Sequence, residues 1–375
     1  MCFCASFFKN LFSAPRFLAK MPFKTFLKRF EMKLKDLSLL LGLSQTTVSR
    51  ALNDYPEVNE ATRKRVKAAA LAHNYRPNPR AKSLATGRSM AIGHVIPIST
   101  KHEIVNPVFA DFIAGAGEVY SRNSHDMLLS MVPDVEEELT YRDLAAKASV
   151  DGVIVHGPKP NDARISLLQS LGLPFVVHGR ASDGDTGYSW VDVNNRRSFE
   201  RAANFLMDLG HRRIALINGL EFMDFAQRRK DGFLDAFSQR GLTPDLALMV
   251  AGEMTEEFGY RSAHRMLAGT NPPTAFIVSS MIMAIGVRRA IGDAGKKMGR
   301  EVSVLIHDDA LSYLPNGADI PIFTATKSSV HLAGQLCAQA LLDIIQSGDT
   351  TPQHTLLESE LTVGESTGPA PKGAS

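Results

Sequence analysis

Residues 36–54, DLSLLLGLSQTTVSRALND, decide the reading of this chain. They read as two short helices around a tight Gly-Leu-Ser turn. Leu37, Leu40, Leu43, Val48 and Leu52 are placed to point inward as a small apolar core. Ser44 stands where an N-cap of the second helix belongs. On that helix Gln45, Thr46, Ser49 and Arg50 fall at i, i+1, i+4 and i+5, so they share one outer face. Gln, Thr, Ser and Arg side chains hydrogen-bond base edges and phosphates in a major groove. The pair is therefore a helix-turn-helix, and its outer face implies double-stranded DNA as a partner. The plain alternative is a surface helix pair with a polar outer side.

Charge decides between the two. Residues 32–89 carry eleven Lys/Arg against four acids, a net +7, whereas residues 90–375 come to −9. A basic head can hold phosphates while an acidic body is repelled by them.

Working outward, Asn59 is placed to cap a third helix, EATRKRVKAAALAHN, running to about Asn74, with Val66, Ala69 and Ala70 closing the small core. In YRPNPRAKSLATGRS, Pro77 and Pro79 block any helix from crossing them. The segment reads as a linker containing one short helix. From Met90 the texture alternates. Apolar runs AIGHVIPI, DMLLSMV, DGVIVHG, PFVVHGR, RIALING, TAFIVSS and EVSVLIH alternate with amphipathic helical stretches. Such alternation predicts parallel sheets covered on both faces. The number of units predicts two doubly wound subdomains with a cleft at the carboxyl ends of their strands.

The expected fold class is thus a small all-α helix-turn-helix head on an α/β, two-lobed, periplasmic-binding-protein-like body. The expected domains are a head at 32–77, a hinge helix or linker at 78–89, a body at 90–365 and a disordered Gly/Pro/Ser/Ala-rich tail at 366–375. Residues 1–31 carry eight Phe and six Lys/Arg with one acid. Basic residues interrupt every apolar stretch, which excludes a signal peptide. Residues 1–31 are expected to be a disordered extension or a stretch upstream of a natural start at Met32, with a membrane-lying amphipathic helix as the alternative. No apolar run reaches the ~18 residues of a membrane span. Cys2, Cys4 and Cys337 form no disulfide framework, which fits a reducing cytoplasm.

Head, third helix, hinge and two-lobed body, in that order, resemble the LacI/GalR family of bacterial transcription regulators over about 32–365. The local matches are LSQTTVSRALN, VNEATRKRV, NYRPNPRAKSLATG, NPVF at 106–109, LGHRRIALING at 209–219, RKDG at 229–232, GVRRAI at 286–291 and HDD at 307–309. FVVHGR and SWVDVNNR resemble regulators of α-glucoside utilisation in α-proteobacteria. The resemblance implies a repressor that binds a near-palindromic operator as a homodimer and responds to a small sugar between the lobes. It places Gln45, Thr46 and Arg50 at the specificity positions, and Thr47, Ser49 and Asn53 at phosphate anchors. Leu84 matches a hinge leucine that wedges into the minor groove, where an apolar side chain kinks the duplex. In the cleft it implies Arg229 gripping ligand hydroxyls, Asp308 accepting from them and Trp190 as an aromatic wall. The chain departs from the family at Ser280-Met281, where Asn-Asp is common, and at His178-Gly179-Arg180, where an aspartate usually precedes the arginine. Ser280 and Arg180 then become effector contacts in their own right.

Two other functions compete. A periplasmic-type sugar-binding protein shares the body but leaves the basic head unexplained. An enzyme would need chemistry that the sequence does not offer. It has no P-loop, complete dinucleotide fingerprint, G-x-S-x-G or metal-spaced His/Cys cluster. His307-Asp308-Asp309 alternate in direction on a strand end and cannot converge on one metal ion. No cofactor is expected. A dimer, not a tetramer, is expected, because LTVGESTGPAPKGAS holds no heptad.

Overall fold

The structure is a computed structural model and describes residues 32–75, 87–97, 106–181 and 187–372. It divides into two units that part at residues 85 and 86. Residues 78–86 of the expected linker, Leu84 among them, lie outside the described residues.

The first unit is the head, built from α1 (Leu34–Leu41), α2 (Gln45–Leu52) and α3 (Glu60–Ala72). Asp36 reaches back to accept from the Lys33 N–H at 3.0 Å, closing the first turn of α1. Gly42 at φ +63° ends it, a left-handed conformation that suits a residue without Cβ. The core is Leu37, Leu41, Val48, Ala51, Val58, Val66 and Ala70. Leu40, expected inside, is 54% exposed, and Leu41 takes its place. The helix presents its i and i+4 positions inward as Leu37 and Leu41, which turns Leu40 to the outside. Leu43, Leu52 and Ala69 only flank this core. The Arg65 guanidinium donates to the Leu41 carbonyl, tying α3 to the open end of α1.

The second unit holds two six-stranded sheets. The first has the order β11-β5-β4-β3-β1-β2, with β1 Ala91–Pro97, β2 Asp126–Val132, β3 Gly152–His156, β4 Phe175–His178, β5 Ser189–Val193 and β11 His354–Leu357, all parallel. The second has the order β12-β10-β9-β8-β6-β7, with β6 Ile214–Asn218, β7 Met249–Ala251, β8 Ala275–Val278, β9 Ser303–Asp308, β10 Thr324–Lys327 and β12 Glu360–Thr362. There only β12 runs antiparallel. Helices α4 (Pro107–Arg122) and α11 (Val330–Ser347) cover one face of the first sheet. Its other face carries α5 (Glu137–Ala146) and α6 (Ala163–Leu171). Helices α7 (Asn195–Asp208) and α8 (Asp224–Gln239) cover one face of the second sheet. Helices α9 (Glu256–Leu267) and α10 (Met281–Asp293) cover the other.

The chain passes from one sheet to the other after β5, after β10 and after β11, so the lobes are joined at 193–195, 327–330 and 357–360. Glycines make the closest helix crossings. A Cβ on Gly232 of α8 would sit 1.9 Å from the Arg196 carbonyl oxygen. One on Gly286 of α10 would sit 2.1 Å from that of Glu256.

Two boundaries differ from expectation. Residues 87–89 belong to the body. The Asp151 carboxylate accepts from the N–H groups of Ser89 (2.6 Å) and Met90 (2.8 Å), and Arg88 donates to the Ile345 carbonyl at 3.0 Å. The expected disordered tail from 366 is instead bound as far as it is described. Ser366, fully buried, accepts from the Thr324 N–H at 2.8 Å, and Ala370 donates to the Leu209 carbonyl at 2.8 Å. Glycine there serves close approach of two backbones: a Cβ on Gly368 would meet the Gly299 oxygen at 2.3 Å. Among the described residues no helix is long and apolar enough to cross a membrane.

Candidate functional site

The head offers one polar helix face. Ser44 caps α2 by accepting from the Thr47 N–H at 3.0 Å, as its position implied. Val48 and Ala51 are buried on the inner side of α2, while Gln45, Thr46 and Arg50 are exposed on the outer side and Ser49 is half-buried. The four side chains that spacing placed on one outer face therefore lie on the side of α2 away from its buried residues. Arg50 lies 3.6 Å from Glu57, a solvent-exposed pair that screening keeps weak. Thr47 and Asn53 already serve the helix ends. The Thr47 hydroxyl lies 2.8 Å from the Ser44 hydroxyl, and the Asn53 amide donates to the Ser49 carbonyl at 2.9 Å.

The body contains a cavity of about 350 Å³ between its sheets, in the ~300–1,000 Å³ range of small-molecule sites. The carboxyl ends of β3, β4, β5 and β9 supply its polar floor: His156, His178, Asp192, His307 and Asp309. Phe109 and Phe112 line one side, and Leu220, Met223, Phe225 and Met254 another. Polar groups converging between aromatic and aliphatic walls suit a ligand with hydroxyls on its edge and an apolar face.

Arg229 enters this cavity from α8, as expected. Its Nε donates to Asn195 Oδ1 at 2.7 Å and its Nη1 to the Ser279 carbonyl at 2.8 Å. The guanidinium carbon lies 4.9 Å from the Phe225 ring centre and 5.2 Å from that of Phe199. Burial draws the guanidinium down to about 10, against the pull of Asp309 and Asp192, so it stays charged at neutral pH. Its neighbour Arg228 is paired with Asp224 on the same helix.

The partner acid is not Asp308. Asp308 is 3% exposed and accepts from the Ala310 N–H at 2.8 Å, outside the cavity lining. Asp309 lines the cavity instead, 3.5 Å from His307. Burial opposes its charge, but the His307 hydrogen bond, Arg229 and His178 outweigh burial and hold its pKa below the usual carboxylate value. Asp192, which the sequence reading did not single out, is a further acid of the cavity floor, and Glu253 and Glu256 also line the cavity. Burial raises the pKa of Asp192, and the Arg180 guanidinium, 2.7 Å away, opposes the rise.

Three other expected contacts lie elsewhere. Arg180 does not line the cavity; it reaches it only through Asp192. Trp190 is not a cavity wall: it stacks on His354 at 4.8 Å and beneath Arg180 at 5.0 Å. Ser280 is buried as the N-cap of α10, accepting from the Met283 N–H at 3.2 Å. Asn195, from the first turn of α7, and His178 and His307 lie within the quoted stretches SWVDVNNR, FVVHGR and HDD, but were not singled out there as cavity residues.

Comparison with known proteins agrees with this anatomy. A model described as bacterial regulatory proteins, lacI family, matches residues 33–78, and one of a periplasmic binding protein-like domain matches 203–367. The HTH-type transcriptional regulator AglR of Rhizobium meliloti (strain 1021) is 45% identical over 342 residues, covering 91% of this chain and 95% of its own. The structure of the transcriptional regulator CelR–cellobiose complex aligns with TM-score 0.66 and 27% identity, covering 89% of this chain and 99% of its own. The lac repressor dimer bound to operator and the anti-inducer ONPF aligns with TM-score 0.77 and 26% identity, covering 90% and 99%.

Proposed function

Since the chain belongs to the lacI family of bacterial regulatory proteins and is thus a DNA-binding transcriptional regulator, we propose that it represses genes of α-glucoside use and is released by an α-glucoside bound between its lobes. The observation that carries this reading is the cavity itself. Arg229, Asp309, Asp192 and Asn195 converge on one space walled by Phe225 and Phe109, which is the chemistry of polyol recognition. The resemblance of FVVHGR and SWVDVNNR to regulators of α-glucoside utilisation supports the α-glucoside class, and the CelR–cellobiose complex supports a sugar of disaccharide size.

In this reading Gln45, Thr46 and Arg50 read bases, while Thr47, Ser49 and Asn53 hold phosphates and Leu84 wedges the minor groove. Two-fold pairing doubles the bases read and sets a near-palindromic site. A homodimer is further supported by the edge strand β2. It exposes Leu128, Leu129 and Met131 together, an apolar edge that a soluble lobe normally covers. The working place of such a dimer is the cytoplasm, with its operator.

The test is retention of operator DNA, selected from a random-sequence pool, during titration with maltose, sucrose or trehalose. Release at micromolar-to-millimolar sugar is expected. Binding of sugar with no retention on any DNA would favour a sugar-binding protein without a DNA role.

A further inference from the structure

Behind the cavity floor three side chains form a line into the first lobe. His156 lines the cavity, and its Nε2 lies 2.9 Å from Nδ1 of His94. Nε2 of His94 lies 3.2 Å from the Tyr120 hydroxyl. His94 is fully buried in the middle of β1 and Tyr120 is 1% exposed near the end of α4.

Counting hydrogens gives this line a direction. A phenol carries one hydrogen, and a neutral imidazole carries one on one of its two nitrogens. Burial keeps the Tyr120 phenol protonated by raising its pKa. Burial also keeps both rings neutral, with His94 lowered to about 3 and His156 well below its ordinary 6.5. Among the described residues, the acceptor in reach of the Tyr120 hydroxyl is Nε2 of His94. A buried phenol hydrogen goes to its available acceptor, so Nε2 of His94 bears the lone pair and Nδ1 the hydrogen. Nδ1–H of His94 then donates to Nε2 of His156. That nitrogen accepts, so the hydrogen of His156 sits on Nδ1. The reverse order would strand the phenol hydrogen without an acceptor.

We propose that His156 is a specificity-determining residue, donating from Nδ1 to an oxygen of the bound sugar, with Tyr120 and His94 as positioning residues that fix its tautomer. This rests on reading the cavity as a sugar site and deepens it. Asp309 and Asp192 offer only acceptors and Arg229 only donors. His156 is a neutral donor set among them. It fits a hydroxyl or ring oxygen and disfavours a protonated amine, so neutral glycosides are selected over amino sugars.

The experiment uses the full chain with 15N-labelled histidine. Long-range 15N–1H spectra report the tautomer of each ring, and calorimetry with maltose, sucrose and trehalose reports affinity. In the wild type His94 and His156 are both expected as Nδ1–H. Tyr120→Phe removes the driving hydrogen. It should give mixed tautomers at both rings and lower the affinity of whichever sugar binds by the inverse of the Nδ1–H fraction that remains at His156, about 2-fold for an even mixture. Operator retention without sugar and the melting midpoint report that the variant is folded. His156→Phe, which keeps an aromatic ring but no donor, should lose at least as much affinity. A wild-type His156 carrying its hydrogen on Nε2 overturns the proposal. So does Tyr120→Phe with unchanged tautomers or unchanged affinity while the wild type binds sugar. Failure of the wild type to bind any of the sugars overturns the cavity reading and this proposal together, and is told apart by that binding result alone.

Discussion

Arg229→Lys isolates what the guanidinium supplies beyond charge. Arginine offers five N–H donors in a rigid plane. One on Nε is held by Asn195 and one on Nη1 by the Ser279 carbonyl, which leaves three for a ligand. Lysine has three donors. If two replace the bonds to Asn195 and Ser279, one remains for the sugar, and the planar contact with Phe225 is lost. The ligand then loses two hydrogen bonds at roughly 1–1.5 kcal/mol net each, or about 2–3 kcal/mol in all. That is a roughly 30- to 140-fold weaker sugar complex. Operator affinity without sugar should not change, because the reading face belongs to the other unit. Calorimetry with the sugar panel measures the first quantity and fluorescence anisotropy on selected operator DNA the second. Wild-type sugar affinity in Arg229→Lys would refute the placement of the ligand against this guanidinium.

Other outcomes follow from the same anatomy. Arg50→Ala should cost ~1–3 kcal/mol at one operator position, whereas Lys35→Ala, which removes one of the exposed cations of the basic head, should weaken all DNA alike and flatten the salt dependence; equal losses on operator and random DNA would move the reading face elsewhere. Ser44→Ala removes the cap on Thr47 N–H and should destabilise the head by about 1 kcal/mol in a melt followed by circular dichroism. Gly232→Ala forces a Cβ onto the Arg196 carbonyl and should lower body stability by about 1–3 kcal/mol or more, with calorimetry as the check. Burial lowers the pKa of His94 to about 3 and of His178 to about 4 from an ordinary 6.5. Their neutrality therefore contributes stability that is present above pH 6.5 and is lost as the pH falls toward about 4, because the unfolded chain gains protons first. Each should tilt the body's stability by up to about 1.4 kcal/mol per pH unit in that window, and His94→Asn should flatten the slope.

The head was legible because its signals are local. Caps, a turn glycine and an i, i+3, i+4 apolar pattern act within a few residues, so Ser44, Asn59 and the outer face of α2 could be read directly. The one slip, Leu40 for Leu41, lay within a run of leucines where periodicity cannot choose between neighbours. Strands buried on both faces were also legible, as AIGHVIP and RIALIN show. Strands with polar residues were not. Thr324–Lys327 is TATK: the Thr324 hydroxyl is met by Gly364 and Thr367 of the C-terminal segment, that of Thr326 by His307, and Thr362 donates to the Ala325 carbonyl, partners that a local reading cannot see. Helices α5 and α6 are weakly marked in the sequence because each buries few side chains: Tyr141 and Leu144 in one, Ile165 and Leu168 in the other.

The errors in the cavity share one cause. Site residues sit where strands end, and there the two-residue alternation that makes a strand readable stops. Asp308 and Asp309 are equally plausible acids until it is known that β9 ends at Asp308, whose carboxylate turns back onto the Ala310 N–H, leaving Asp309 to line the cavity. Trp190 shares its strand face with Asp192 but lies two residues earlier, opposite Val177 and His354 in the sheet. At about 3.3 Å per residue it falls roughly 7 Å short of the carboxyl end where the ligand space begins. Its place on the strand, and not its chemistry, removes it from the cavity, and the same geometry brings in Asp192. His156 and His178 face one another in register at the ends of β3 and β4. A histidine on an apolar strand ordinarily reads as core. These two become candidates for ligand contact because both strands stop at those residues.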